Sequence, residues 1–220
     1  LLWIGDIYSF VLAGLLITMG SLGDRFGRKR MLVWGSVAFA IMSVVAAYSQ
    51  TPEMLILSRA LLGVAGATLM PSTLSLIRNT FPDPKERTFA IGVWSAMAAF
   101  GSGGGPVLGG FLLEHFWWGS VFLVNVPIII VMLAIGLPAW RESKDPNAGP
   151  VDVLSIVLSL AGMLAMVWAI KEIAFQGLGY LTGWGVLFLG LAGLFAFVKR
   201  QNSLEKPMIN MSLFRNPAFS

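Results

Sequence analysis

Residues Gly20–Arg30 read GSLGDRFGRKR. The stretch carries four cations (Arg25, Arg28, Lys29 and Arg30) and one acid, Asp24, punctuated by Gly20, Gly23 and Gly27. Apolar runs flank it, Leu1–Met19 before and Met31–Gln50 after. Each is close to the roughly 20 residues that a helix needs to cross a bilayer. A basic loop beside a membrane span is retained in the cytoplasm. That placement orients every later segment.

Composition agrees. Of 220 residues, 56% are hydrophobic and 12% charged, whereas soluble domains carry about 25% charged residues. Mean hydropathy is +0.79. The class is an all-α polytopic membrane protein. The net charge of +4 comes from cations in short loops and calls for no nucleic-acid partner. There is no cysteine, so neither disulfides nor a thiol nucleophile enter. Leu1 already lies in an apolar run with no initiator Met, charged leader or cleavage site, so a signal peptide is not expected. Asn216–Ser220 stops as a further apolar segment begins, and the chain reads as an internal part of a longer protein.

Seven spans are expected: Leu1–Met19, Met31–Ser49, Met54–Ile77, Thr88–Leu113, Ser120–Ala139, Val153–Ile170 and Gly183–Val198, with an eighth starting near Leu213. The loops at 20–30, 78–87, 140–152 and 199–215 hold 13 of the 15 Lys and Arg residues. The alternate loops, Gln50–Glu53 and Glu114–Gly119, hold none. This asymmetry puts the first set in the cytoplasm, in a multi-pass protein of the cytoplasmic (inner) membrane. The loops leave no room for a soluble domain. Trp117, Trp118, Trp140, Tyr180 and Trp184 fall near span ends, where aromatic rings favour the headgroup zone.

Two charges lie deep in spans. Asp6 sits in the first, with Trp3, Phe10 and Ala13 on its face at helical spacing. A carboxylate in such a place faces protein or water. Beside aromatic rings it suits a cation, and burial alternatively fits it to carry a proton. An ion pair or a packing hydrogen bond is the plainer role. Arg59 lies in the third span and cannot deprotonate, so its role would be to tune a neighbouring acid or bind an anion. Asp6 is a possible partner for it, and a permanent pair would weaken the proton-carrier role; the two readings stay open. The fourth span contains GSGGGPVLGG, residues 101–110. Gly101, Gly105 and Gly109 form one smooth stripe that lets helices approach closely, and Pro106 removes a backbone donor. Tight packing and a bendable seam between moving helices both fit.

The remaining polar residues read more simply. His115 sits in an outer loop, Asp152 reads as an N-cap, and Lys171 and Glu172 are expected to snorkel to the interface. Asn125 and Pro127 either line a cavity or shape the fifth helix. No metal cluster, phosphate loop or hydrolase motif appears, so neither an enzyme nor a resident cofactor is expected.

Three stretches, taken in order on successive spans, resemble the major facilitator superfamily. Gly20–Arg30 is similar to its signature loop between helices 2 and 3, Leu57–Ala67 (with Arg59, Gly63 and Gly66) to its helix 4 motif, and Gly101–Gly110 to its helix 5 antiporter motif. LLWIGDIYSFVLAG, RALLGVAGATLMPSTLSLIRNTF, VFLVNVP and the surroundings of MVWAIKEI further resemble the fourteen-helix drug:proton antiporters of the QacA/SmvA type. The resemblance implies residues 1–139 as family helices 2–6, 140–212 as a linker with two extra membrane helices, and 213–220 as the start of a second half. Helix 1 and most of that second half would be missing.

It also implies export of lipophilic cations, such as quaternary ammonium compounds, in exchange for protons, with the proton gradient rather than a cofactor as energy source. In those terms Asp6, with Trp3 and Phe10, would recognise the cation. Arg59 and Asp6 would couple protons. Gly20, Asp24, Arg25, Gly27, Arg28 and Lys29 would form a cytoplasmic gate, with Asp24 pairing across that face. Gly101, Gly105, Pro106, Gly109 and Gly110 would form the antiporter motif. A nutrient transporter of the same fold, and a membrane receptor or scaffold that transports nothing, are the competing expectations.

Overall fold

The structure is a computed structural model that describes residues 2–145, 149, 151–204 and 207–208, without the side chains of residues 2 and 3. Among these residues there are eight helices and no strand. They are α1 (Leu2–Phe26), α2 (Arg28–Ala47), α3 (Pro52–Thr80), α4 (Pro84–His115), α5 (Ser120–Leu123), α6 (Asn125–Ala139), α7 (Val153–Gln176) and α8 (Leu181–Ser203). Seven segments are long and apolar enough to cross a membrane, with α5 and α6 together making one, Ser120–Ala139. The expected eighth span near Leu213 lies outside the described residues.

The helices run well past the expected spans. α1 continues through Gly20 and Gly23 to Phe26, so the expected 20–30 loop shrinks to a turn at Gly27. Extending a helix adds one hydrogen bond per residue fixed, so polar residues at its end do not stop it. Gly27 stops it, with φ at 106°, a conformation that costs glycine little and other residues much. At the far side of the molecule the fifth span is interrupted for one residue in its hydrogen bonding, while its backbone stays helical. Val124 separates α5 from α6, three residues before Pro127, whose ring crowds the carbonyl four residues back and offers no N–H to it.

α1 packs against α2, α3 and α7 and so joins the α1–α3 bundle to α7, while α7 and α8 form a tight hairpin of their own. The core along α1 is Val11 and Leu15 with Ala67 of α3, and Leu160 of α7 joins it. In lipid the apolar effect between helices is weak, so close approach through small residues holds such a bundle. A Cβ on Gly63 would fall 2.7 Å from the Tyr8 carbonyl oxygen, and one on Gly190 would fall 2.8 Å from the Met166 nitrogen. Buried hydroxyls bond back to their own helices: Ser36 to the Leu32 carbonyl at 2.7 Å and Thr68 to the Ala65 carbonyl at 2.7 Å. α4 differs from the other long helices, with no buried residue along its 32-residue length.

Candidate functional site

Three charged constellations stand out, one at the end of the bundle away from Gly27 and two at the Gly27 end. At the first, Asp6 lies in the opening turns of α1 and Lys171 in the closing turns of α7. The two helices run antiparallel and meet again lower down, where a Cβ on Gly14 would lie 2.9 Å from the Leu160 side chain. That contact sets their register, and the Lys171 ammonium reaches the Asp6 carboxylate in a direct ion pair. The Lys171 side chain is 24% exposed and that of Asp6 40%. The ammonium also stands 6.0 Å from the centre of the Phe10 ring, one turn further along α1. Lys171 therefore does not snorkel outward as expected. Asp6 lies within reach, and an ion pair offsets the cost of a charge in a membrane span.

Arg59 does not take Asp6. Its Nη2 donates to the Gly5 carbonyl at 2.9 Å. Its guanidinium lies over Tyr8 at 5.4 Å and Phe122 at 5.9 Å, while its Nε is buried with no hydrogen-bond partner. Arg59 bridges α3, α1 and α5 through a carbonyl and two rings, and the ion pair of Asp6 is made with a different helix, α7. Of the expected cation-site residues, Asp6 and Phe10 share one neighbourhood; the side chain of Trp3 lies outside the described residues.

At the Gly27 end, Asp24 pairs with Arg28 across the single-residue turn, rather than with cations elsewhere on that face. The segment after α6 lies over this turn. Glu142 accepts N–H bonds from Lys29 at 3.1 Å and Arg30 at 3.3 Å, and Arg28 N–H donates to the Ser143 carbonyl at 2.8 Å. These are N–H groups that a helix start leaves without internal partners. In return, Lys29 Nζ donates to the Leu137 and Trp140 carbonyls, at 2.8 and 2.9 Å, at the end of α6. Asp145 N–H donates to the Asp24 carbonyl at 2.7 Å, and Asn79 of α3 donates to Ser143 Oγ at 2.6 Å. Sequence reasoning missed Glu142. Its signal was an acid, in a loop that also holds Asp145 and Asp152, on the same side of the membrane as the four cations of residues 20–30.

The third constellation ties α7 to α8. Asp152 caps α7, accepting from the Ser155 hydroxyl at 2.6 Å, and receives Arg200 Nε and Nη2 at 2.8 and 3.0 Å. The Arg200 guanidinium holds the Asp152 carboxyl down at about 2, with the Ser155 hydroxyl and N–H helping. Gln201, buried, donates to Ser155 at 2.7 Å and accepts from Met208 N–H at 2.7 Å.

The glycines of the fourth span meet none of this. A Cβ added at Gly101, Gly103, Gly105, Gly109 or Gly110 would find nothing within 4 Å. Pro106 sits in the same exposed run, within an unbroken α4.

A bundle of apolar spans joined by glycine seams, with charges kept to its ends and a basic turn between the first two helices, is the architecture that the motifs implied. The sequence model described as Major Facilitator Superfamily matches residues 2–205. The chain belongs to the Major Facilitator Superfamily. Within this transporter superfamily, the chain is 50% identical over 219 residues to the protein titled "Multidrug efflux pump LfrA" of Mycolicibacterium smegmatis, covering 100% of this chain and 43% of that one. It is 42% identical over 217 residues to "Methyl viologen resistance protein SmvA" of Salmonella typhimurium, covering 97% and 43%. It is 34% identical over 219 residues to "Tetracenomycin C resistance and export protein" of Streptomyces glaucescens, covering 99% and 40%. The chain thus spans less than half the length of these curated relatives.

Proposed function

We propose that the chain is the first half, without its opening helix and with two linking helices, of a proton-coupled exporter of lipophilic cations. It would work by alternating access in the cytoplasmic membrane, with the basic Gly27 end facing the cytoplasm. One observation carries this reading: a carboxylate in a membrane span, Asp6, holds an organic ammonium group beside an aromatic ring. The same arrangement of charge and ring face suits a quaternary ammonium or pyridinium substrate. The relatives' titles support it, since they name drug efflux and resistance to methyl viologen, a bis-pyridinium dication.

In this mechanism Asp6, with Phe10 and Trp3, receives the cation at the midpoint of the exchange cycle. Protons entering through the carboxylates of the cavity drive its release. Arg59 stays charged and biases the protonation of that cavity while bracing α3 against α1 through Gly5. Asp24, Arg25, Arg28 and Lys29, with Gly20 and Gly27, form the inner gate. The open face of α4, with Gly101, Gly105, Pro106, Gly109 and Gly110, meets a moving helix of the second half.

The test is export of ethidium and tetraphenylphosphonium from cells carrying the complete reading frame. Export is expected to stop when an uncoupler collapses the proton gradient, and to fall at least about tenfold in Asp6→Asn, whose amide neither pairs with a cation nor takes a proton. Unchanged transport of both cations by that variant overturns the assignment of Asp6.

A further inference from the structure

The cation site carries a lysine from outside the helices that build the transporter half. We infer that Lys171 is a tethered competitor of the transported cation: it occupies the Asp6 site when no substrate is bound, and a lipophilic cation binds by displacing it. This deepens the reading of Asp6 given above and rests on it.

The geometry carries the inference in four steps. First, the pair joins elements that are otherwise separable. Asp6 stands on α1, in the α1–α3 bundle, and Lys171 on the α7–α8 hairpin, which reaches the bundle through α1. Second, Asp6 is the acid that Lys171 takes although Glu172 is its immediate neighbour. Glu172 is instead held by Gln176, whose Nε2 donates to it at 2.7 Å. Third, the other cation nearby is already engaged: Arg59 points to the Gly5 carbonyl and lies over two rings. Among the described residues, Glu172 on α7 and Arg59 on α3 are charged groups that neighbour the pair, and the adjoining end of α2 (Ala46, Ala47, Tyr48) brings no charge. Fourth, the ammonium sits against the Phe10 ring. A primary ammonium on an aromatic face occupies the place that a substrate cation would take, with the same two attractions, charge and ring quadrupole.

A bound lysine lowers the observed affinity for any other cation by the fraction of time that the site is empty. A lysine present nine-tenths of the time weakens binding about tenfold. The lysine thereby sets a threshold: weak or strongly hydrated cations fail to displace it, and lipophilic ones that gain from the rings succeed. Displacement also frees α7 from α1 at this end, so substrate binding loosens the hairpin.

The experiment measures the dissociation constant for tetraphenylphosphonium in the purified product of the complete reading frame, at one pH for all variants. Lys171→Met, which keeps the apolar stem and removes the charge, is expected to bind about tenfold more tightly, whereas Lys171→Arg binds like the wild type. Because the methionine variant could fail to fold, a second measurement uses the unsubstituted protein. Saturating tetraphenylphosphonium is expected to raise the rate at which an amine-reactive ester labels Lys171, read by peptide mass spectrometry. Unchanged or weaker binding by a folded Lys171→Met, or labelling that the cation leaves unchanged, overturns the inference. Asp6→Asn separates the two levels: if it binds the cation as well as the wild type does, the cation site itself is misplaced. If it loses binding while Lys171→Met binds like the wild type, only the lysine's role fails.

Discussion

α3 and α4 are both glycine-rich membrane helices, and the structure uses their glycines in opposite ways. On α3, Gly63 and Gly66 sit against α1, and a methyl group at Gly63 would be 2.7 Å from the Tyr8 carbonyl oxygen and 3.0 Å from Val11 Cβ. On α4, methyl groups at Gly101, Gly103, Gly105, Gly109 and Gly110 would meet nothing within 4 Å. The lesson is that a stripe of small residues marks a capacity for close approach and not a contact. On α3 the partner is within the chain. On α4 the face stays open among the described residues, beside exposed Phe100, Val107, Leu108 and Phe111.

The comparison can be broken by substitution. The largest effect is expected at the closed seam. Gly63→Ala forces the α1 backbone away and should destabilise the folded chain by about 1–3 kcal/mol, the range for overpacking a filled site. Thermal unfolding in detergent reads it directly, and an unchanged midpoint would show that the seam is looser than described. At the open stripe the sign should reverse. Gly105→Ala meets no atom and removes a flexible residue from a helix interior, so it should be neutral or stabilise by up to about 1 kcal/mol in the same measurement. A loss comparable to that of Gly63→Ala would mean that the α4 face is covered in solution.

The smallest effect sharpens the comparison at the α7–α8 hairpin, where Gly190 makes a third close contact. There the Asp152–Arg200 pair closes the end of the seam. The Asp152 carboxyl lies at about 2, below the roughly 3.9 of a free aspartate. A depressed value means that the pair's stabilisation is complete above pH 4 and is lost as pH falls through about 2. Proteolysis at the open ends of the hairpin, just before α7 and in the last turn of α8, should therefore be constant from pH 7 to 4 and rise only below that, with an acid-active protease as the probe. A rise already at pH 5 would place the carboxylate outside the guanidinium's grip.

Much of the fold was legible because it follows from composition and period. Apolar runs of spanning length located all seven crossings, and the cation count separated the two ends. The boundaries were less legible. Helices overrun apolar runs when polar ends are solvated, which is why α1 reaches Phe26 and the long basic loop became a turn at Gly27. The interruption at Val124 was foreshadowed by Pro127 but could not be told from a smooth bend. Of the candidate site, Asp6 was found because a charge in a span is conspicuous. Its partner was not, because Lys171 lies near a span end, where snorkelling satisfies a lysine equally well. Only the register of α7 against α1, set by the Gly14–Leu160 contact, decides between the two.

The mutual capping of α2 and α6 has a consequence for the order of synthesis. Lys29 and Glu142 are 113 residues apart, so at roughly 5–20 residues per second the first N–H groups of α2 wait about 6–23 s for their acceptor to be made. During that interval the α1–α2 turn is held by local contacts, among them the Asp24–Arg28 pair and the bonds from Gly27 N–H to the Gly23 carbonyl and from Met31 N–H to the Gly27 carbonyl, and by the water at the membrane surface. The hairpin is therefore inserted in provisional form. Its turn is completed from outside, by a segment that emerges only after three further spans have been laid down.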